Sequence, residues 1–127
     1  MYPTEYLYSE DHEWLHVKDD VITIGITAYA QNELGEVVYV DLPEVGDELE
    51  SGDAFGAIDS SKTSADVYSP VAGEVVAVNE DLEEAPETVN EDPHGKGWLI
   101  KVRFSSSEGL DSLIKAQQYE ELIEGQS

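Results

Sequence analysis

The sequence predicts a mostly β domain, a small barrel or sandwich with a short internal helix and a C-terminal helix. Three observations carry that reading. Short alternating segments bounded by turn residues recur between residues 13 and 104, the pattern of many short strands rather than of a helical bundle. One of those segments recurs within the chain. The longest stretch of helical spacing lies at the C-terminal end.

Each element follows from local chemistry. Glu13-Trp14-Leu15-His16-Val17-Lys18 reads as a strand, Asp19-Asp20 as a turn, and Val21-Ile22-Thr23-Ile24-Gly25-Ile26 as a strand with three Ile on one face. Together they read as a hairpin. Thr27 is an N-cap residue before a helical stretch from Ala28 to Leu34, and Gly35 is placed to end it. Glu36 to Leu42 reads as a strand and Pro43-Glu44-Val45-Gly46 as a turn. Short strands follow at Ala54–Asp59, Ala65–Tyr68 and Glu74–Asn79. The segment Trp98 to Phe104 is a late strand with Trp98, Ile100, Val102 and Phe104 on one face. Helical spacing runs from Leu110 to Ile123, after Ser105-Ser106-Ser107-Glu108, which has the form of a capping box.

The repeat joins two of these strands. Gly35-Glu36-Val37-Val38-Tyr39-Val40-Asp41 returns 38 positions later as Gly73-Glu74-Val75-Val76-Ala77-Val78-Asn79, with five of seven positions identical. Chance similarity between Val-rich strands would look the same. The alternative is a domain of two similar β halves, whose joint includes the segment around residues 53 to 68.

Composition narrows the function. The 127 residues are 40% hydrophobic, enough for one ordinary domain spanning 1–127, with its core over about 20–104 and a C-terminal helical segment over about 107–124. There is no cysteine, which excludes disulfides, thiolate metal sites and a cysteine nucleophile. Six Lys and Arg stand against 29 Asp and Glu, for a net charge of −23. Such a surface repels phosphate backbones and anionic lipid, so neither nucleic acid nor membrane is an expected partner. No apolar run approaches the roughly 20 residues of a membrane span, and the start, Met1-Tyr2-Pro3-Thr4-Glu5, has no signal or transit character. Self-repulsion of this size destabilises a compact state in dilute buffer. At about 1 M salt the Debye length falls to roughly 3 Å and screens most of it. The expected setting is a prokaryotic cytoplasm rich in salt, and the expected state a monomer.

One cation stands apart. From Asp19 to Gly95, 77 residues hold 20 carboxylates and a single positive side chain, Lys62. It sits in Asp59-Ser60-Ser61-Lys62-Thr63-Ser64, small polar residues between two strands, as at an exposed hairpin tip. A surface pair with Asp59 or Asp66 is worth only about 0–1 kcal/mol and explains a retained amine poorly. Covalent attachment explains it better, because an arginine keeps the charge but cannot be acylated.

At this point the residues carry a resemblance. The chain resembles the glycine cleavage H-protein family of lipoyl carriers in blocks that run nearly end to end. These are His12-Glu13-Trp14; Gly25-Ile26-Thr27 with Ala30, Leu34-Gly35 and Val40-Asp41-Leu42-Pro43; Phe55-Gly56-Ala57-Ile58-Asp59-Ser60-Ser61-Lys62; Tyr68-Ser69-Pro70-Val71-Ala72-Gly73-Glu74-Val75; and Gly97-Trp98-Leu99-Ile100-Lys101-Val102. Asp59 stands where the family commonly has Glu, and Ser61-Lys62-Thr63 where Val-Lys-Ala is commoner.

The resemblance implies a lipoyl-domain-like flattened barrel or sandwich of two quasi-repeated halves, with Lys62 at a hairpin tip. It implies lipoic acid bound covalently as N6-lipoyllysine at Lys62. It implies a non-catalytic shuttle that takes the aminomethyl group of glycine from a pyridoxal-phosphate glycine decarboxylase to a tetrahydrofolate-dependent aminomethyltransferase. A flavin (FAD) dihydrolipoamide dehydrogenase reoxidises the arm, and a lipoate ligase or octanoyltransferase installs it. Glu13 is implied to line a cleft for the loaded, cationic arm, and Asp66, four residues past Lys62, is placed to add to that cleft; a surface acid at a strand edge is the plain alternative for Glu13. Two other duties remain open at this stage: a lipoyl or octanoyl donor in lipoate assembly, and an acidic binding module without a prosthetic group.

Other candidates are weaker. His12 and His16 are four apart, which suits a metal on a helix, but the segment reads as strand. His94 lies in a Pro-His-Gly loop and reads as surface. The serines lack a Gly-x-Ser-x-Gly elbow, and Glu83-Glu84 lacks calcium-loop spacing.

Overall fold

In a computed structural model, residues 2–104, 110 and 113–126 are described. The elements run β1 (Leu7–Tyr8), β2 (Glu13–Lys18), β3 (Val21–Ile26), α1 (Ala28–Leu34), β4 (Val37–Asp41), β5 (Glu48–Leu49), β6 (Ala54–Ser60) and β7 (Ser64–Tyr68). They continue with β8 (Gly73–Val78), α2 (Asp81–Glu84), α3 (Thr88–Glu91), β9 (Ile100–Phe104), β10 (Ile114–Lys115) and α4 (Ala116–Gln126).

The strands form two antiparallel sheets that do not close into a barrel. One has the order β10-β1-β2-β3-β9-β8-β5, the other β4-β6-β7. The repeated segments become β4 and β8, one strand in each sheet. The expected hairpin is β2–β3, paired from Glu13↔Ile26 to Lys18↔Val21. Asp19 makes its turn at φ 58°, a left-handed conformation that a short acidic side chain tolerates.

Alternation then decides the core. Ile22 and Ile24 on β3, Ile100 and Val102 on β9, Val75 on β8 and Ile58 on β6 are all fully buried between the sheets, each contributing about 1.5–3 kcal/mol by burial. Trp14 lies flat over Gly25, where a Cβ would sit 2.6 Å from its Cε2 atom. Its indole N–H donates to the Pro93 carbonyl at 2.7 Å. Trp98 precedes β9 rather than opening it, and packs with Tyr8, Trp14, Ala116 and Tyr119 in a second cluster instead of joining Ile100 and Val102 in the main core.

The C-terminal helix differs from expectation. It starts at Ala116 and runs to Gln126, and Leu113 to Lys115, expected in the helix, are not helical. Ile114–Lys115 is extended because it pairs with β1, with Leu7↔Lys115 and Tyr8↔Ile114. The Gln118 side chain then accepts the Lys115 N–H at 3.1 Å, the returning half of a capping box. The Ser105-Ser106-Ser107-Glu108 signal lies outside the described residues. Among the described residues no helix is long and apolar enough to cross a membrane.

Candidate functional site

Lys62 stands at the tip of the β6–β7 hairpin, where Asp59↔Ser64 is the last strand pair. Short hydroxyl side chains hold the turn. The Ser60 N–H donates to the Thr63 carbonyl at 2.7 Å. The Ser60 hydroxyl accepts the N–H groups of Lys62 at 3.3 Å and Thr63 at 3.1 Å, the local bonding that makes serine a turn former. The Ser64 hydroxyl donates to Asp59 Oδ1 at 2.6 Å. The Ser61 N–H donates to the Glu36 carbonyl at 2.9 Å, which ties the tip to the chain entering β4.

Lys62 itself is exposed. Its stem rests on Gly35, the residue that ends α1: a Cβ there would lie 3.0 Å from Lys62 Cε. Gly35 has φ 84°, a region that L side chains rarely enter. One glycine thus stops the helix and leaves room for the lysine.

Beside the hairpin, a cleft of about 350 Å³ opens between α1 and β7. Ala30 and Leu34 from α1, Ile58 from β6 and Ala65 and Val67 from β7 give it an apolar floor. Exposed Asp11, Glu33 and Asp66 give it a negative rim and Glu13 lies at its buried edge, with no lysine or arginine in the lining. Its size is that of a small-ligand site.

Glu13 is not a surface acid. It is 2% exposed, and the strand-edge alternative fails because its carboxylate is enclosed where the two sheets meet. Oε2 accepts the Tyr68 N–H at 2.7 Å, and Oε1 accepts the Ser9 hydroxyl at 3.1 Å. Burial pushes its pKa up to about 7, opposed by those two hydrogen bonds. Glu13 also lines a second, more polar cleft with Ser9, Ser51 and Tyr68. Asp66, on β7 opposite Ala57, is exposed. The structure therefore brings Glu13 and Asp66 to one cleft beside the hairpin that bears Lys62.

The cleft wall formed by α1 is pinned from far along the chain. Thr27 caps the helix by accepting the Ala30 N–H at 3.2 Å. The Thr27 and Tyr119 hydroxyls lie 2.7 Å apart, and Tyr119 also meets His12 Nδ1 at 2.8 Å. His94 corrects expectation: its Nε2 accepts the Ala28 N–H at 3.0 Å. The ring is half-buried, which lowers its pKa, and its acceptor role requires the neutral form. No local signal marks a histidine that caps a helix 66 positions away. His12 and His16 do not converge. His12 turns at φ 70° toward Tyr119 and Tyr29, while His16 lies on β2 against Tyr6. Among the described residues no group of three His, Asp or Glu side chains is placed to hold a metal ion.

A two-sheet body with an exposed lysine on a braced hairpin, next to an apolar cleft lined by acids, is the arrangement expected of a carrier domain of the lipoyl type. A family model described as glycine cleavage H-protein matches residues 6–126. The chain is 52% identical over 121 residues to the glycine cleavage system H protein of Staphylococcus haemolyticus, covering 95% of this chain and 96% of that one. It is 49% identical over 122 residues to that of Carboxydothermus hydrogenoformans, covering 96% and 94%. It superposes on the crystal structure of a glycine cleavage system H protein from Mycobacterium marinum with a TM-score of 0.88, at 34% identity, over 94% of this chain and 97% of that one. The chain belongs to the glycine cleavage H-protein family.

Proposed function

We propose that this chain is the non-catalytic lipoyl carrier of a glycine cleavage system, with lipoic acid in amide linkage on Lys62. The observation that carries the attachment point is an exposed amine at a hydrogen-bonded hairpin tip, beside a cleft that suits an apolar arm. When bound, the lipoyl group supplies the sulfur chemistry that takes up and hands on the aminomethyl group of glycine. The chain contributes the rest. The two sheets give the arm a fixed base, and tethering raises its effective concentration at successive partner sites. Those partners are the glycine decarboxylase, the aminomethyltransferase and the dihydrolipoamide dehydrogenase, with a lipoate ligase or octanoyltransferase to install the arm.

The cleft chemistry suits a loaded arm better than an empty one. A loaded arm ends in a cationic amine. Asp66 offers it a carboxylate, and Glu13, which burial holds toward its neutral form, is drawn toward ionisation by an adjacent cation. We assign both residues to holding the loaded arm, and Ile58, Ala65 and Val67 to excluding water from it.

We further place the protein as a monomer in a salt-rich prokaryotic cytoplasm. Its 29 acids face six cations, and Glu13 is the one buried carboxylate among the described residues. Reconstitution tests the central reading. Lipoylated protein should support glycine-dependent turnover by the other three components, and Lys62→Arg should support none. Turnover in that variant would refute the assignment.

A further inference from the structure

Asn90, on α3, lines neither cleft, yet its carboxamide is bonded at both ends to the chain just ahead of β4. Oδ1 accepts the Val37 N–H at 2.8 Å, and Nδ2 donates to the Gly35 carbonyl at 2.7 Å. This is how a neighbouring strand would pair: it accepts from one residue and donates to the residue two before it on the same edge. The residue in between then turns its carbonyl to the opposite edge. That residue is Glu36, and its carbonyl accepts the Ser61 N–H at 2.9 Å. Ser61 precedes Lys62 in the tip, and Gly35, held by Asn90, is the residue on which the Lys62 stem rests.

We propose that Asn90 is a positioning residue for the lysine arm. By holding Gly35 to Val37 as a stand-in strand, it aims the Glu36 carbonyl at Ser61 and so fixes the hairpin tip from which Lys62 projects. The proposal rests on Lys62 being the attachment point. An enzyme that acylates the amine meets a pre-set tip instead of one it must order on binding. Loosening the tip reduces the fraction of molecules ready to dock, so the effect falls on KM for the carrier and not on kcat.

The test uses the full chain. Asn90→Ala removes both bonds. Asn90→Asp keeps the shape but sets a carboxylate oxygen against the Gly35 carbonyl. Ser61→Pro leaves Asn90 intact and deletes the N–H that reaches Glu36. Two quantities are measured: amide hydrogen exchange residue by residue, and the kinetics of Lys62 acylation by a lipoate ligase with lipoate and ATP. In both Asn90 variants, exchange at Ser61 and Val37 should quicken about tenfold or more, while Ile24 and Ile100 keep their wild-type rates. KM for the carrier should rise about fivefold or more with kcat unchanged. Ser61→Pro should reproduce the KM rise with Val37 exchange unaltered. Wild-type exchange at Ser61 would overturn the proposal. So would faster exchange there with an unchanged KM, or equal acceleration at Ile24 and Ile100, which would make Asn90 a residue of global stability. If the wild-type protein takes no lipoyl group on Lys62, the attachment reading fails, and Ser61 exchange alone then decides whether Asn90 holds the tip.

Discussion

The Glu13 carboxylate, on the seven-stranded sheet, accepts the backbone N–H of Tyr68, on the three-stranded sheet, at 2.7 Å. One side chain thus joins the two layers at the edge of the cleft beside the Lys62 hairpin, and it does so at 2% exposure.

Its ionisation sets a pH dependence. Burial raises Glu13 from an ordinary 4.5 to about 7. Between those values the native state keeps a proton that the unfolded chain has shed. The stability from this group is therefore full below about 4.5 and is lost as pH rises through about 7. Glu13→Gln has no such proton, and its amide can still accept from Tyr68 and bond Ser9. Urea unfolding from pH 5 to 8 at fixed high salt should show wild type losing up to about 3 kcal/mol more than Glu13→Gln as pH rises. Parallel curves would mean that Glu13 is ionised throughout.

The same substitution tests the cleft. Glu13→Gln should fold and be lipoylated normally but lose the carboxylate proposed to meet the loaded arm. A shielded charge-assisted contact is worth about 1.5–3 kcal/mol. The aminomethyl-loaded carrier should therefore break down about tenfold faster without transferase present. An equal lifetime would leave Glu13 as a bridge between the sheets and nothing more.

Tyr119 extends the argument to the C-terminal helix. It is fully buried, and its hydroxyl meets Thr27 and His12. Tyr119→Phe leaves those groups short of a partner and should lower stability by about 1–3 kcal/mol. Exchange at Ala28 and Ala30, in the first turn of α1, should quicken beyond that global loss. A variant as stable as wild type would show that water replaces the hydroxyl.

Much of this was legible because its signals are local. Thr27 and Gly35 bracket α1 as expected, and the alternating Ile residues fix the β2–β3 hairpin. Lys62 stands out as the single lysine or arginine between Asp19 and Gly95. What was not legible depends on distant partners. Ile114–Lys115 is a strand only because Leu7–Tyr8 lies beside it. His94 and Asn90 bond backbone 66 and 53 to 55 positions away, with nothing in their own neighbourhoods to say so. Glu13 misleads in another way, since a carboxylate signals exposure until its burial is seen.

Salt should govern folding. A net charge of −23 on one small domain is repulsive in dilute buffer, and the Arg103–Asp20 pair at 3.6 Å is exposed on both sides and offsets little. The melting temperature should climb steadily as KCl rises from about 10 mM to about 1 M, where the Debye length falls from roughly 30 Å to roughly 3 Å. Equal melting across that range would remove the support for a salt-rich setting.

The most direct test of the carrier assignment is where a lipoyl group goes. Wild type and Lys62→Arg are each incubated with lipoate ligase, lipoate and ATP, then weighed intact and mapped by peptide. Wild type should gain one lipoyl increment, on the peptide containing Lys62, and Lys62→Arg should gain none while keeping its fold. A lipoyl group on Lys18, Lys96 or Lys101 in the variant, or none on Lys62 in wild type, would contradict the assignment.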